Sequence, residues 1–192
     1  MIAAHKPKPK KCKVCRKEFQ PVRAIQPVCQ NFDCAVTYAT KAAERAKARR
    51  DANDRKDLRE AKEKAKTRGK WAAEAQAAFN SFIRARDAGK PCISCGRHHK
   101  GSWDAGHYRA RSVVPALRFN ELNCHAQCVP CNRHMHGNLI EYRIRLIERI
   151  GVELVQWLEG SHEPKHYSIS DLKAIKAEYV AKLNELNSAR YV

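Results

Sequence analysis

The residues able to do chemistry in this chain lie in two cysteine clusters and in what the second one encloses. Cys92-x-x-Cys95 and Cys128-x-x-Cys131 are two knuckles that can clasp one zinc ion. Four thiolates leave zinc no open coordination position, so such an ion is a frame. Within and just after that frame lie Asp104, His107, Asn123, Asn132 and His136. A histidine that titrates near neutrality suits the role of general base. Carboxylate and amide oxygens suit magnesium or manganese. One such cation and one base meet the needs of phosphodiester hydrolysis: an activated water, and positive charge at the leaving oxygen. Arg109, Arg111 and Arg118 sit close enough in sequence to hold phosphates. His98, His99, His125, His162 and His166 are taken as ordinary surface or core histidines.

These groups need elements to position them. The 32 residues between the two knuckles accommodate two short strands and a loop, with a helix starting near Cys131. That helix would put Asn132 and His136, four residues apart, on one face. Residues 138–159 read as helix interrupted at Gly151. Ser168-x-x-Asp171 then resembles a helix-start box before a stripe of Leu172, Ile175, Tyr179, Leu183 and Leu186. At the other end, Cys12, Cys15, Cys29 and Cys34 form the first cluster. It has too little apolar material for a core, so zinc would supply its stability. Residues 35–90 are rich in Ala, Lys, Arg and Glu and predict one long charged helix, weakened at Thr67–Gly69. Only Leu58 is large and apolar between Tyr38 and Trp71, too few for a coiled-coil seam. Trp71, Phe79, Phe82 and Ile83 are expected to dock on the domain that follows. The expected fold class is α+β and mostly helical: a basic tail and zinc knuckle over 1–34, the long helix over 35–90, and the zinc-framed domain with C-terminal helices over 91–192. Cys124, without a CxxC partner, is the ninth and spare cysteine.

The chain has 192 residues and a formal net charge of +18, of which +6 falls on residues 1–34, +8 on 35–90 and +4 on 91–192. Such a surplus points to a polyanion, most simply nucleic acid. Lys10 and Lys11, the rest of the basic tail, the first knuckle and the long helix would then hold DNA through its phosphates. No apolar run reaches the roughly 18 residues of a membrane helix. The N-terminus lacks the apolar core of a signal peptide. The chain is expected in a reducing cytoplasm, away from membranes, where CxxC pairs favour metal over disulfide.

Cys92-Ile-Ser-Cys95, Asp104-Ala-Gly-His107-Tyr108, Asn123 and Cys128-Val-Pro-Cys131-Asn132 resemble an HNH, or His-Me finger, endonuclease with a ββα-metal core. Ala105-Gly-His-Tyr-Arg109, Leu117-Arg-Phe-Asn-Glu-Leu-Asn-Cys-His125 and the N-terminal cysteines resemble the NinG (Rap) recombination proteins of lambdoid phages. The resemblance implies a structure-specific endonuclease in the infected host's cytoplasm. It would nick branched DNA, such as Holliday junctions and D-loops, with magnesium or manganese. It implies that His107 is the base, that Asn123 orients it or tethers its loop, and that Cys92, Cys95, Cys128 and Cys131 bind structural zinc. Asn132 stands where a metal-ligating asparagine is found, with Asp104 and His136 as further candidate ligands. Most members carry Asp or His immediately before the base; here that residue is Gly106. By analogy with resolvases, a homodimer would suit paired nicks, with recombination proteins as further partners. The rival class is a non-catalytic, zinc-stabilised nucleic-acid-binding protein.

Overall fold

The computed structural model describes residues 7–189, so residues 1–6 of the basic tail lie outside the described residues. The described chain is mostly helical with two small two-stranded antiparallel sheets. It divides into two compact units, Met1–Ala65 and Lys66–Val192. The expected single helix over 35–90 is corrected to two helices, one in each unit.

In the first unit, β1 (Lys10–Lys11) pairs with β2 (Glu18–Phe19) across the first knuckle. Among the described residues, the buried core there is Cys12, Val28 and Cys34, with Val14, Phe19, Cys29 and Tyr38 packed around it. Helix α1 (Phe32–Lys64) starts on Asn31, whose side chain caps the amide of Cys34 at 3.1 Å. Cys34 is its only buried residue. The helix therefore rests on intrinsic propensity and on the knuckle at its base. It stops at Ala65. Thr67 adopts extended backbone and its hydroxyl caps Lys70, starting α2 (Arg68–Arg86) in the second unit. Gly69 follows at once. This N-cap and the glycine beside it outweigh the alanine-rich composition on either side.

In the second unit, β3 (Trp103–His107) and β4 (Cys124–Cys128) pair antiparallel, with Asp104 opposite Gln127 and His107 opposite Cys124. Side chains alternate across the strands. One face, with Ala105 and Cys124, packs on Phe79, Phe82 and Ile83 of α2, and Tyr179 of α5 (Ile169–Ala189) joins that cluster. The other face carries His125 and Gln127 toward α3 (Leu139–Ile150), where His125 and Tyr142 rings meet. The sheet is thus a layer between helices, and its elements can hold a side chain rigidly at the strand edge. Gly151, with φ 87°, separates α3 from α4 (Val152–Glu159), as the sequence predicts. Ser168 and Asp171 exchange the expected reciprocal bonds at 2.9 and 3.1 Å. Among the described residues no helix is long and apolar enough to cross a membrane.

Candidate active site

Each cysteine quartet brings its four sulfurs within 4.8 Å of one another. In a tetrahedron with Zn–S bonds of about 2.3 Å, sulfurs stand about 3.8 Å apart. Cys15 and Cys29 are 3.8 Å apart, and Cys95 and Cys128 3.9 Å. Both quartets therefore fit zinc. Cys92, Cys128 and Cys131 are buried, whereas Cys15 is exposed. His99 Nε2 lies 3.2 Å from Cys95 Sγ, so this histidine belongs to the surroundings of the frame.

The frame braces a cleft of about 430 Å³ lined by His107, Asn132, His136, Arg111, Ser112 and Asn80, among others. His107 ends β3. Its Nε2 bonds the carbonyl of Arg118 at 2.9 Å. A carbonyl only accepts, so Nε2 carries the proton and Nδ1 keeps its lone pair. Nδ1 lies 3.7 Å from the thiol of Cys124, a weak donor in the apolar cluster of α2. Burial drives the His107 pKa below its ordinary value. The charges of Arg111 and Arg118 act the same way, against the opposing bond to the Arg118 carbonyl. The imidazole is therefore kept neutral and able to accept a proton.

Asn123 is fully buried and does not line the cleft. Its Oδ1 accepts from the Arg109 amide at 2.8 Å. Its Nδ2 donates to the carbonyls of Arg109 at 3.0 Å and Leu117 at 3.1 Å. It clamps both ends of the loop that leads to Arg118, and so sets the carbonyl that orients His107.

Asp104 and Asn132 meet, with Asn132 Nδ2 donating to Asp104 Oδ2 at 2.9 Å. Arg133 also grips Asp104 through two bonds of 2.7 Å. Its guanidinium holds the Asp104 carboxyl below the usual carboxylate range. Asn132 Oδ1 is left for another partner. The expectation that Asn132 and His136 share a helical face is corrected. Pro130–His134 forms a short π-helical turn, after which His136, Gly137 and Asn138 all take positive φ. The chain reverses there, and this reversal brings His136 to the cleft that Asn132 lines. Asp104 itself is not among the residues lining that cleft, and its carboxylate is engaged by Asn132 and Arg133.

The arginines behave differently from one another. Arg111 is exposed in the cleft. Arg118 instead turns inward, donating to Gln76 Oε1 at 2.9 Å and the Ala72 carbonyl at 3.3 Å, which takes it away from phosphate duty. Arg109 Nη1 donates to the Glu159 carbonyl at 3.5 Å. Lys11 is exposed on β1, while Lys10 donates to the carbonyl of Ala24.

Gln127 carries no signal in the sequence, yet it shapes the site. It is fully buried, and its Nε2 donates to Ser94 Oγ and the Gly137 carbonyl, both at 2.6 Å. It thereby pins the reversal that delivers His136. Its Oε1 has no hydrogen-bond partner and faces Gly106. A Cβ on Gly106 would overlap Oε1 and lie 2.9 Å from Cδ. The glycine before His107 thus leaves space that a glutamine from the neighbouring strand fills. Asn80 was also missed; a polar residue beside Phe79 and Phe82 on a docking helix was the available signal.

Asp87 ties α2 to the sheet. It accepts the Ala126 amide at 3.0 Å and is held by Arg86 at 2.8 Å. Burial opposes its charge, but the Arg86 guanidinium and the Ala126 amide hold its carboxyl far below the usual range. His125, behind the sheet, is driven by burial to about 3 and stays neutral.

A family model described as the bacteriophage lambda NinG protein matches residues 4–189. Protein ninG of Escherichia phage lambda is 43% identical over 200 residues, covering 96% of this chain and 97% of that protein. Protein ninG of Salmonella phage P22 is 42% identical over 189 residues, covering 92% of each chain. Protein ninG of Escherichia phage 933W is 40% identical over 195 residues, covering 96% of this chain and 97% of that protein. No solved structure gives a significant match.

Proposed function

The chain belongs to the bacteriophage lambda NinG family, and on that premise we propose that it is a zinc-framed HNH-type endonuclease that nicks branched recombination intermediates in the phage-infected cell. The observation that carries the reading is His107. Its Nε2 proton is committed to a backbone carbonyl, burial keeps the ring neutral, and it lines one cleft with Asn132 and His136. Support for the reading comes from element order: strand β3, strand β4 and the short π-helical turn Pro130–His134 follow one another as a ββα core would need.

His107 Nδ1 takes a proton from water, and the resulting hydroxide oxygen bonds to phosphorus. The bond from phosphorus to the 3′ oxygen breaks in line. The 3′ oxygen collects a proton from solvent, and the 5′ phosphate stays on the other strand end. Asn123 holds the loop whose Arg118 carbonyl keeps the imidazole in register. Arg111 in the cleft offers charge to a non-bridging phosphate oxygen. Asn132, with Asp104 and His136, would hold magnesium or manganese, which supplies positive charge at the departing oxygen.

The test uses a labelled four-way junction with magnesium, with manganese, or after EDTA. Nicks with 5′-phosphate ends, lost in EDTA and not restored by zinc alone, support the enzyme. A specific observation favours the rival, non-catalytic reading: no carboxylate lines the cleft among the described residues, and Arg133 already occupies Asp104. Junction binding without nicking under every metal condition would establish that rival.

A further inference from the structure

The two zinc knuckles make the same turn but end it differently. In the second, the Gly96 amide donates to the Cys92 carbonyl at 2.9 Å, with Gly96 at φ 67°. In the first, the Arg16 amide donates to the Cys12 carbonyl at 3.0 Å, with Arg16 at φ 63°. Left-handed backbone suits glycine and disfavours a residue with a side chain. The first knuckle therefore bears local strain to present an arginine where its sister turn has none.

Arg16 faces a cleft of about 650 Å³ formed within the first unit by the knuckle and α1. Its lining includes Lys13, Arg16, Lys41, Arg45 and Arg49, with Tyr38 at one end and no carboxylate. All five cations are exposed, and among the described residues none is in an ion pair. Positions 41, 45 and 49 are successive turns of one helical face, about 12 Å long. Phosphates of one duplex strand recur every ~3.4 Å of axis, so this row spans about three of them. Five exposed cations from two chain segments make the groove electropositive and favour an anion of matching charge spacing.

We propose that this groove is a discrete binding site for the phosphodiester backbone of one nucleic-acid strand, with Arg16 and Lys13 of the knuckle on one wall and Lys41, Arg45 and Arg49 of α1 on the other. Guanidinium forks grip phosphate in two-point fashion. Lys13 and Arg16 lie in the turn between and just after Cys12 and Cys15, so a zinc held by the first quartet would fix them, and binding at the groove would depend on that site. This narrows the contact from the whole basic surface to one groove. It rests on the nuclease reading only for the choice of DNA as the strand.

The experiment measures anisotropy of labelled duplex and four-way-junction DNA across a potassium chloride series. It uses full-length protein in the His107→Ala background, so the readout stands whether or not the wild type cuts. Arg16→Gly relieves the strained turn, so zinc content and stability should hold or rise. The log–log salt slope should nevertheless fall by ~0.9, one phosphate contact, and affinity by at least about threefold. Arg45→Gln/Arg49→Gln should lower the slope by about 2. The control pair Lys47→Gln/Arg50→Gln, on the opposite face of α1, removes equal charge and should leave the slope nearly unchanged. RNA of the same sequence separates the two sources of backbone phosphate, and the groove variants should weaken whichever strand binds. Equal losses from the control pair, wild-type binding by Arg16→Gly, or groove effects confined to poly-glutamate would each overturn the proposal.

Discussion

His107 is held by one bond and one tether, and each can be broken separately. Because burial lowers its pKa, the neutral base survives below the ordinary histidine value. The acid limb of the pH–rate profile should therefore lie below about 6.5. Arg111→Gln removes a charge that lowers that pKa and should move the limb upward, read in single-turnover nicking from pH 5 to 8. Asn123→Ala leaves the Arg109 amide and two carbonyls without their partner, at a cost of about 1–3 kcal/mol. It should lower the cleavage rate more than junction affinity, because the fault lies in the loop that aims the base. Gly106→Ala drives a methyl into Gln127 and should cost ~1–3 kcal/mol by overpacking, measured by thermal unfolding. The Gly106→Ala/Gln127→Ala double variant should lose less than the sum of the two single changes, since the clash vanishes with the amide.

At the scale of elements, the legible features were those specified by nearby residues. Three CxxC pairs and the Cys29/Cys34 pair lie close in sequence, so both cysteine quartets could be read from spacing. Gly151 and the Ser168–Asp171 box marked helix ends for the same reason. The break before α2 was less legible, because Thr67 and Gly69 interrupt a stretch whose composition favours helix throughout. The capture of Asp104 by Arg133 and the packing of Gln127 behind Gly106 were not legible at all. They depend on strand pairing and on three consecutive left-handed residues, which no local pattern encodes. The two knuckles should also differ in strength. Cys15 is exposed, whereas Cys92, Cys128 and Cys131 are buried, so a chelator should strip the first quartet before the second. A colorimetric zinc assay should show two release phases, and Cys15→Ser should abolish only the faster one.

Across the whole molecule, the proposed reading assigns the net charge of +18 to holding a polyanion and the neutral histidine to cutting it. The central claim is that one imidazole does the cutting. The most direct measurement is the single-turnover nicking rate of a four-way junction with manganese, for wild type and for His107→Ala at matched zinc content and matched junction occupancy. Removal of the general base should slow nicking by roughly 10²- to 10⁴-fold while the junction stays bound. Equal rates for the two proteins, or no nicking by either, would contradict the account.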